Sequence, residues 1–173
     1  MKNIGRDVLV ISRYIFARAL VDHHEDPFAH PMPTERQLGY RRGLAEAGIE
    51  GAPSYEQITE FSPEAGAQAL DFLMALPEAP TAILAGSDTQ AMGIVDAARR
   101  HGLRVPEDLS VVGYNDVELA RYLNLTTVRV PMSELGRRGV ERLLAADARV
   151  EQSPTTEYLP TELVVRRSCG PPP

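Results

Sequence analysis

Apolar residues fall along the chain in two alternating rhythms, short β-branched runs and longer stretches in which they return every three or four positions. The runs predict strands over 7–12 (DVLVIS), 55–61, 81–86, 109–114, 126–130 and 158–166. Between them, Thr34-Glu-Arg-Gln37 and Ser87-Asp-Thr-Gln90 have the form of capping boxes, in which a hydroxyl takes a free amide and the glutamine reaches back to the cap. Tyr40, Gly43, Leu44 and Ala47 give the first helix an inward face, and Gly48 stops it. Ser62-Pro63 opens a helix whose apolar side is Ala65, Ala69, Phe72, Leu73 and Leu76, with Pro77 as its end. Met92, Val95 and Ala98 line the helix after Ser87, which Gly102 stops; Ser133 caps another carrying Leu135, Gly139, Val140, Leu143 and Leu144. Strand and helix alternate throughout. Each parallel strand needs a crossover connection, so this order predicts an α/β fold: a doubly wound, mainly parallel sheet with helices on both faces. The stretch 13–33 has no period and reads as a functional loop or a partly disordered one.

At 173 residues and 43% hydrophobic content the chain can bury the core of one domain. A formal charge of −6 opposes approach to a phosphate backbone, so direct nucleic-acid binding is not expected of this segment. The single cysteine, Cys169, excludes a disulfide framework and a Cys/His zinc spacing, which fits a reducing cytoplasm. Val8 to Ile11 is too short an apolar run for a signal peptide or a membrane span, so no membrane partner is expected.

Ligands of such sheets bind outside the carboxyl ends of the strands. Ser87-Asp88 and Asn115-Asp116 each follow a predicted strand and should share one rim, with Phe61 at the end of a third strand and Arg36 near the start of the first helix. One cation, several hydrogen-bonding groups and an aromatic ring suit a neutral polyhydroxylated ligand. Each residue also has a plainer reading. Arg36 could be a surface arginine paired with Glu35 or Glu46, Phe61 core, and Ser87, Asp88 and Asp116 helix caps. His23, His24, Glu25, Asp26 and His30 match no standard metal spacing and read as a solvated loop, so no metal site is expected. No nucleophile motif or phosphate-cradling glycine loop is present, and no cofactor is expected.

Four ordered stretches, TERQLGYRRGLAEAGI, PTAILAGSDTQAMG, GLRVPEDLSVVGYND and LTTVRVPMSELGRRGVERLL, resemble the lac-repressor-type bacterial transcriptional regulators, the LacI/GalR family, from about Lys2 to Arg167. The resemblance implies the effector-binding part of a regulator, with a sugar or a purine bound between two lobes resembling periplasmic sugar-binding proteins and operator affinity altered allosterically. It implies that Arg36 and Asn115 bind effector hydroxyls, Phe61 stacks beside them, and Ser87 and Asp88 line the turn. Ser87 stands where asparagine is more usual and Asn115 where aspartate is common. On the same resemblance, 1–125 and 156–168 form the C-terminal lobe, 126–155 is a crossover segment belonging to the N-terminal lobe, and 169–173 is a disordered tail. Most of the N-terminal lobe and the DNA-binding helix-turn-helix are expected to be missing. The face Leu135, Val140, Leu143 and Leu144 is then expected to be covered in a homodimer, by self-association or by segment exchange, since apolar burial contributes roughly 25 cal/mol per Å². Two other readings share the fold: a solute-binding lobe of a sugar transport system, and an α/β enzyme with Asp88 or Asp116 as general base.

Overall fold

The computed structural model describes residues 7–12, 32–145 and 156–171. The elements are β1 (Asp7–Ser12), α1 (Met32–Glu46), a 3-10 turn (Pro53–Tyr55), β2 (Gln57–Thr59), α2 (Pro63–Met74), β3 (Ala82–Ala85), α3 (Asp88–Arg100), β4 (Ser110–Asn115), α4 (Glu118–Tyr122), β5 (Thr126–Arg129), α5 (Met132–Ala145) and β6 (Glu162–Val164). They form one sheet in the order β2-β1-β3-β4-β5-β6, parallel except for the β5–β6 pair. The chain steps outward from β1 to β2, then reverses to β3 and β4. Right-handed crossovers therefore put α1 on one face of the sheet and α2 and α3 on the other. The expected doubly wound architecture is present.

The core lies between α2, α3 and the central strands, where Leu70, Leu73, Ile83, Ile94, Leu109 and Val111 are almost wholly buried. The two helices touch backbone to backbone, because a Cβ on Gly93 would lie 1.8 Å from the Pro63 carbonyl oxygen and one on Gly66 2.3 Å from that of Gln90. Ser62 caps α2 as expected, its Oγ accepting the Ala65 amide at 3.1 Å, with Pro63 in the first helical position.

Several expectations need correction. α2 turns Gly66, Ala69, Leu70 and Leu73 inward, leaving Phe72 49% exposed. On α3 the buried apolar positions are Ala91, Ile94, Ala97 and Ala98, with Met92 and Val95 only half-buried. α1 begins at Met32, so Thr34 lies inside the helix; Gln37 donates to Glu56 instead of reaching back to a cap. Of the face expected on α1, only Leu44 is buried. The strand expected over 55–61 is shortened to β2, because Tyr55 sits in the 3-10 turn with its hydroxyl on the Glu78 carbonyl. The closing strand contracts to β6.

Thr126–Arg129, expected with the crossover segment, is β5 of the main sheet, bonded to β4 and β6. Departure from the sheet begins after it: α5 has no buried residue. The chain then returns through β6 to Ser168, which is buried between β4 and β5. Its carbonyl accepts the Val111 amide at 2.8 Å and its Oγ accepts the Thr126 amide at 2.8 Å. Cys169 and Gly170, expected to begin a disordered tail, are held instead, the Gly170 amide donating to Ser110 Oγ at 3.1 Å and the Cys169 thiol facing the Val111 carbonyl at 3.4 Å. Of the stretch 13–33, expected to be a loop, residues 13–31, with His23, His24, Glu25, Asp26 and His30, lie outside the described residues, and Met32 and Pro33 belong to α1.

Candidate ligand-binding site at the strand ends

Parallel pairing brings the carboxyl ends of five strands to one rim. The registers pair Ser12 with Thr59, Leu84 with Val112 and Asn115 with Arg129, so the turn Gly86-Ser87 that follows β3 and the end of β4 come to the same rim. Between β1 and β3 the sheet order reverses, which is where α/β sheets open a crevice.

Arg36, the fifth residue of α1, reaches the ends of β3 and β4 on this rim. Its Nη1 donates to the Gly86 carbonyl at 2.7 Å, and its guanidinium carbon lies 3.8 Å from the centroid of the Tyr114 ring. Of the two partners expected for it, Glu46 pairs with Arg42 instead, and the Glu35 side chain lies outside the described ones. A guanidinium flat on a ring is attracted by the ring's negative face, by about 0.5–2 kcal/mol, and loses little rotamer freedom when a ligand arrives. Burial lowers the Arg36 pKa and contact with Tyr114 opposes the shift. The group keeps donors beyond the one on Gly86.

Asn115 ends β4 with φ 114°, and Asp116 follows with φ 56°, both in the left-handed half of backbone space. Asparagine and aspartate are the non-glycine residues that tolerate this region best. Asn115 is half-buried, and among the described residues its side-chain amide has no hydrogen-bond partner. Such an amide offers two donors and an acceptor to a ligand.

Ser87 is the N-cap of α3, its Oγ accepting the Gln90 amide at 3.1 Å, and it is 3% exposed. Gln90 reaches back to the cap as expected, although its Oε1 accepts the Ser87 hydroxyl, at 3.4 Å, and not the Ser87 backbone amide. Its buried amide donates to Thr59 Oγ1 at 2.8 Å and to the Glu60 carbonyl at 2.9 Å, tying the β2–α2 turn to α3. That turn carries Phe61, half-buried, one residue before the Ser62 cap.

Asp88 was expected to line the site and does not face it. It is fully buried, with Oδ2 accepting the Val117 amide at 2.8 Å and Oδ1 accepting the Thr127 hydroxyl at 2.5 Å. A Cβ on Gly113 would lie 2.2 Å from that Oδ1, so only glycine in β4 admits the carboxylate here. Asp88 supports the rim from beneath. Asp116 is 7% exposed and bonds Arg129 at 2.8 Å and Arg166 at 2.6 Å. Burial raises its pKa, but the Arg166 and Arg129 bonds outweigh burial and hold it below the usual aspartate range. Neither carboxylate is placed as a general base.

Sequence reasoning therefore brought Arg36, Ser87 and Asn115 to one rim and Phe61 to its border, and misplaced Asp88. It missed Tyr114, which lay inside the quoted GYND, and Gln90, whose capping-box position masked its long-range bonds. Two cavities among the described residues, of about 240 Å³ (Met92, Val95, Leu123, Arg167) and about 610 Å³ (Leu44, Ile49, Tyr55, Pro77), are lined by other residues.

Residues 11–169 match the periplasmic binding protein-like domain family. The chain is 38% identical over 167 residues to the HTH-type transcriptional repressor PurR of Erwinia tasmaniensis, which covers 91% of this chain and 49% of that protein. It is 38% identical over 135 residues to the ribose operon repressor of Haemophilus influenzae, covering 77% of this chain and 41% of that one. Among solved structures, a LacI-type putative transcriptional regulator from Bacillus cereus subsp. cytotoxis superposes with a TM-score of 0.83 at 26% identity, over 96% of this chain and 55% of the other. A complex of the regulator CelR with cellobiose superposes with a TM-score of 0.74 at 27% identity, over 95% and 46%. The chain spans about half the length of the curated relatives it matches. No helix among the described residues is long and apolar enough to cross a membrane.

Proposed function

Since the chain belongs to the periplasmic-binding-protein-like family, in its branch of lac-repressor-type (LacI/GalR) transcriptional regulators, we propose that it is the effector-binding and dimerising part of such a regulator, working in the cytoplasm. Its effector is a neutral polyhydroxylated molecule, a sugar or a sugar-bearing compound. The observation that carries this is Arg36, held between Tyr114 and the Gly86 carbonyl at the strand ends, with Asn115, the residue after Tyr114, offering a side-chain amide that has no hydrogen-bond partner among the described residues. Hydroxyls would meet the guanidinium and amide in bidentate fashion, and Phe61, on the β2–α2 turn that Gln90 ties to α3, would cover a C–H face. The relatives' names, a ribose operon repressor and a regulator bound to cellobiose, support the sugar class.

The exposed α5, following a strand that belongs to this lobe, supports a segment that packs on a second lobe or on a partner copy, as in a homodimer with segment exchange. Operator contact then falls to a helix-turn-helix outside this segment. Regulation follows by population shift: an effector that binds one lobe arrangement better stabilises it, and operator affinity changes by no more than that difference.

The test is calorimetric titration of the protein with ribose and cellobiose. One of them is expected to bind, and Arg36→Ala is expected to weaken binding about tenfold or more, the loss of a charge-assisted contact, with the thermal transition nearly unchanged. Unaltered affinity in Arg36→Ala would remove this residue, and with it the reading of the rim.

A further inference from the structure

Asn115 has an unusual backbone for a residue with a side chain, and among the described residues nothing bonded to its side-chain amide holds it there. Its neighbour supplies the hold. Both oxygens of Asp116 are engaged: Oδ2 accepts Arg129 Nε at 2.8 Å and Oδ1 accepts Arg166 Nη2 at 2.6 Å. Arg166 is itself anchored, its Nη1 on the Leu125 carbonyl at 2.7 Å and its backbone amide on Thr126 Oγ1 at 2.9 Å. Arg129 also bonds Glu162 at 3.0 Å, and on the far side the Val117 amide is fixed by Asp88. The turn 115–117 is thus gripped at consecutive residues.

The two arginines stand at particular points of the chain. Arg129 is the last residue of β5, directly before the chain leaves the sheet for α5, and Arg166 lies two residues after β6, where the chain has come back. The geometry points to the Asp116–Arg129–Arg166 cluster as a positioning device: it holds Asn115 in its left-handed conformation on the ligand rim and ties that conformation to the exit and return of the α5 segment. Displacing α5 pulls on Arg129, loosens Asp116, and lets the strained Asn115 backbone relax away from the ligand; a bound ligand resists the same movement. Charge-assisted bonds with fixed geometry transmit such a shift better than a flexible apolar contact does. This inference rests on the reading of the rim as the effector site.

The test separates the two. The side-chain amide pair of Asn115 is assigned in nitrogen–proton correlation spectra by its loss in Asn115→Ala, and followed without ligand in Asp116→Asn and Arg129→Gln. Arg129 is 48% exposed, so the second variant folds even where the first does not. Both are expected to shift or broaden the Asn115 pair, and Arg129→Lys to restore it, which a role in stability alone would not produce. With whichever of ribose or cellobiose binds, Asp116→Asn is expected to raise Kd about tenfold and Arg129→Gln in the same direction by less. An unmoved Asn115 pair in Arg129→Gln overturns the inference. So does loss of sugar binding in Arg36→Ala together with unchanged affinity in Asp116→Asn, a result that leaves the rim reading intact. Where neither sugar binds, the Asn115 signal alone decides.

Discussion

Replacing Asp88 by alanine isolates what a buried carboxylate contributes to this lobe. The side chain is fully buried and accepts two hydrogen bonds, from the Val117 amide and the Thr127 hydroxyl. Alanine leaves the buried Thr127 hydroxyl and the part-buried Val117 amide without that partner, at about 1–3 kcal/mol for the buried group and less for the one closer to water, so roughly 3 kcal/mol in all. For a chain of this size that is a fall in Tm of about 6–12 °C. Scanning calorimetry and urea melts at pH 7 read it, with the urea slope expected to stay constant. A second substitution, Thr127→Val, tests the cause. In the wild-type background it should destabilise, because it removes a partner of a buried charge; in Asp88→Ala it should restore about 1–2 kcal/mol, because the orphaned donor is gone. A Tm change below about 3 °C in Asp88→Ala, or an equal cost of Thr127→Val in both backgrounds, would refute the account of Asp88 as the internal prop of the rim.

Glycine substitutions should divide by backbone contact: Gly93→Ala, whose Cβ would meet the Pro63 carbonyl oxygen at 1.8 Å, is expected to cost about 3 kcal/mol or more in urea melts. Gly43→Ala, in exposed α1 with nothing within 4 Å, should stabilise by about 0.5–1 kcal/mol. Asp108, held down to about 2 by the Arg104 side chain and amide, and Asp116, held below its ordinary value, have folded pKa values under the unfolded one. Their contribution is therefore complete above about pH 4 and is lost as pH falls through the folded values, so urea midpoints should drop between about pH 4 and pH 2 and Asp116→Asn should flatten that drop.

Much of the architecture was legible because strand and helix rhythms differ so plainly, and because parallel pairing alone forces Ser87 and Asn115 to the same rim. What escaped had long-range causes. Phe72 and Leu70 both fit an apolar helix stripe, and only the close crossing of α2 on α3 at Gly66 and Gly93 decides that Leu70 goes inside. Asp88 carries the signature of a helix cap or a ligand group; that its oxygens serve Thr127 and Val117 follows from β5 lying beside β4, a pairing local pattern does not encode. Gly170 looked like tail because glycine and proline surround it, yet its amide meets Ser110, 60 residues earlier.

Ser168 sets an order for biosynthesis. It bridges Val111 and Thr126, made 57 and 42 residues before it, at the amino ends of β4 and β5. On a ribosome, β4 and β5 can pair with each other directly as they emerge, yet the backbone groups of Val111 and Thr126 that Ser168 will meet still face water, because that residue has not been translated. Until it arrives this corner of the sheet presents unmet backbone groups, and premature termination before Ser168 would leave them open to a neighbouring chain.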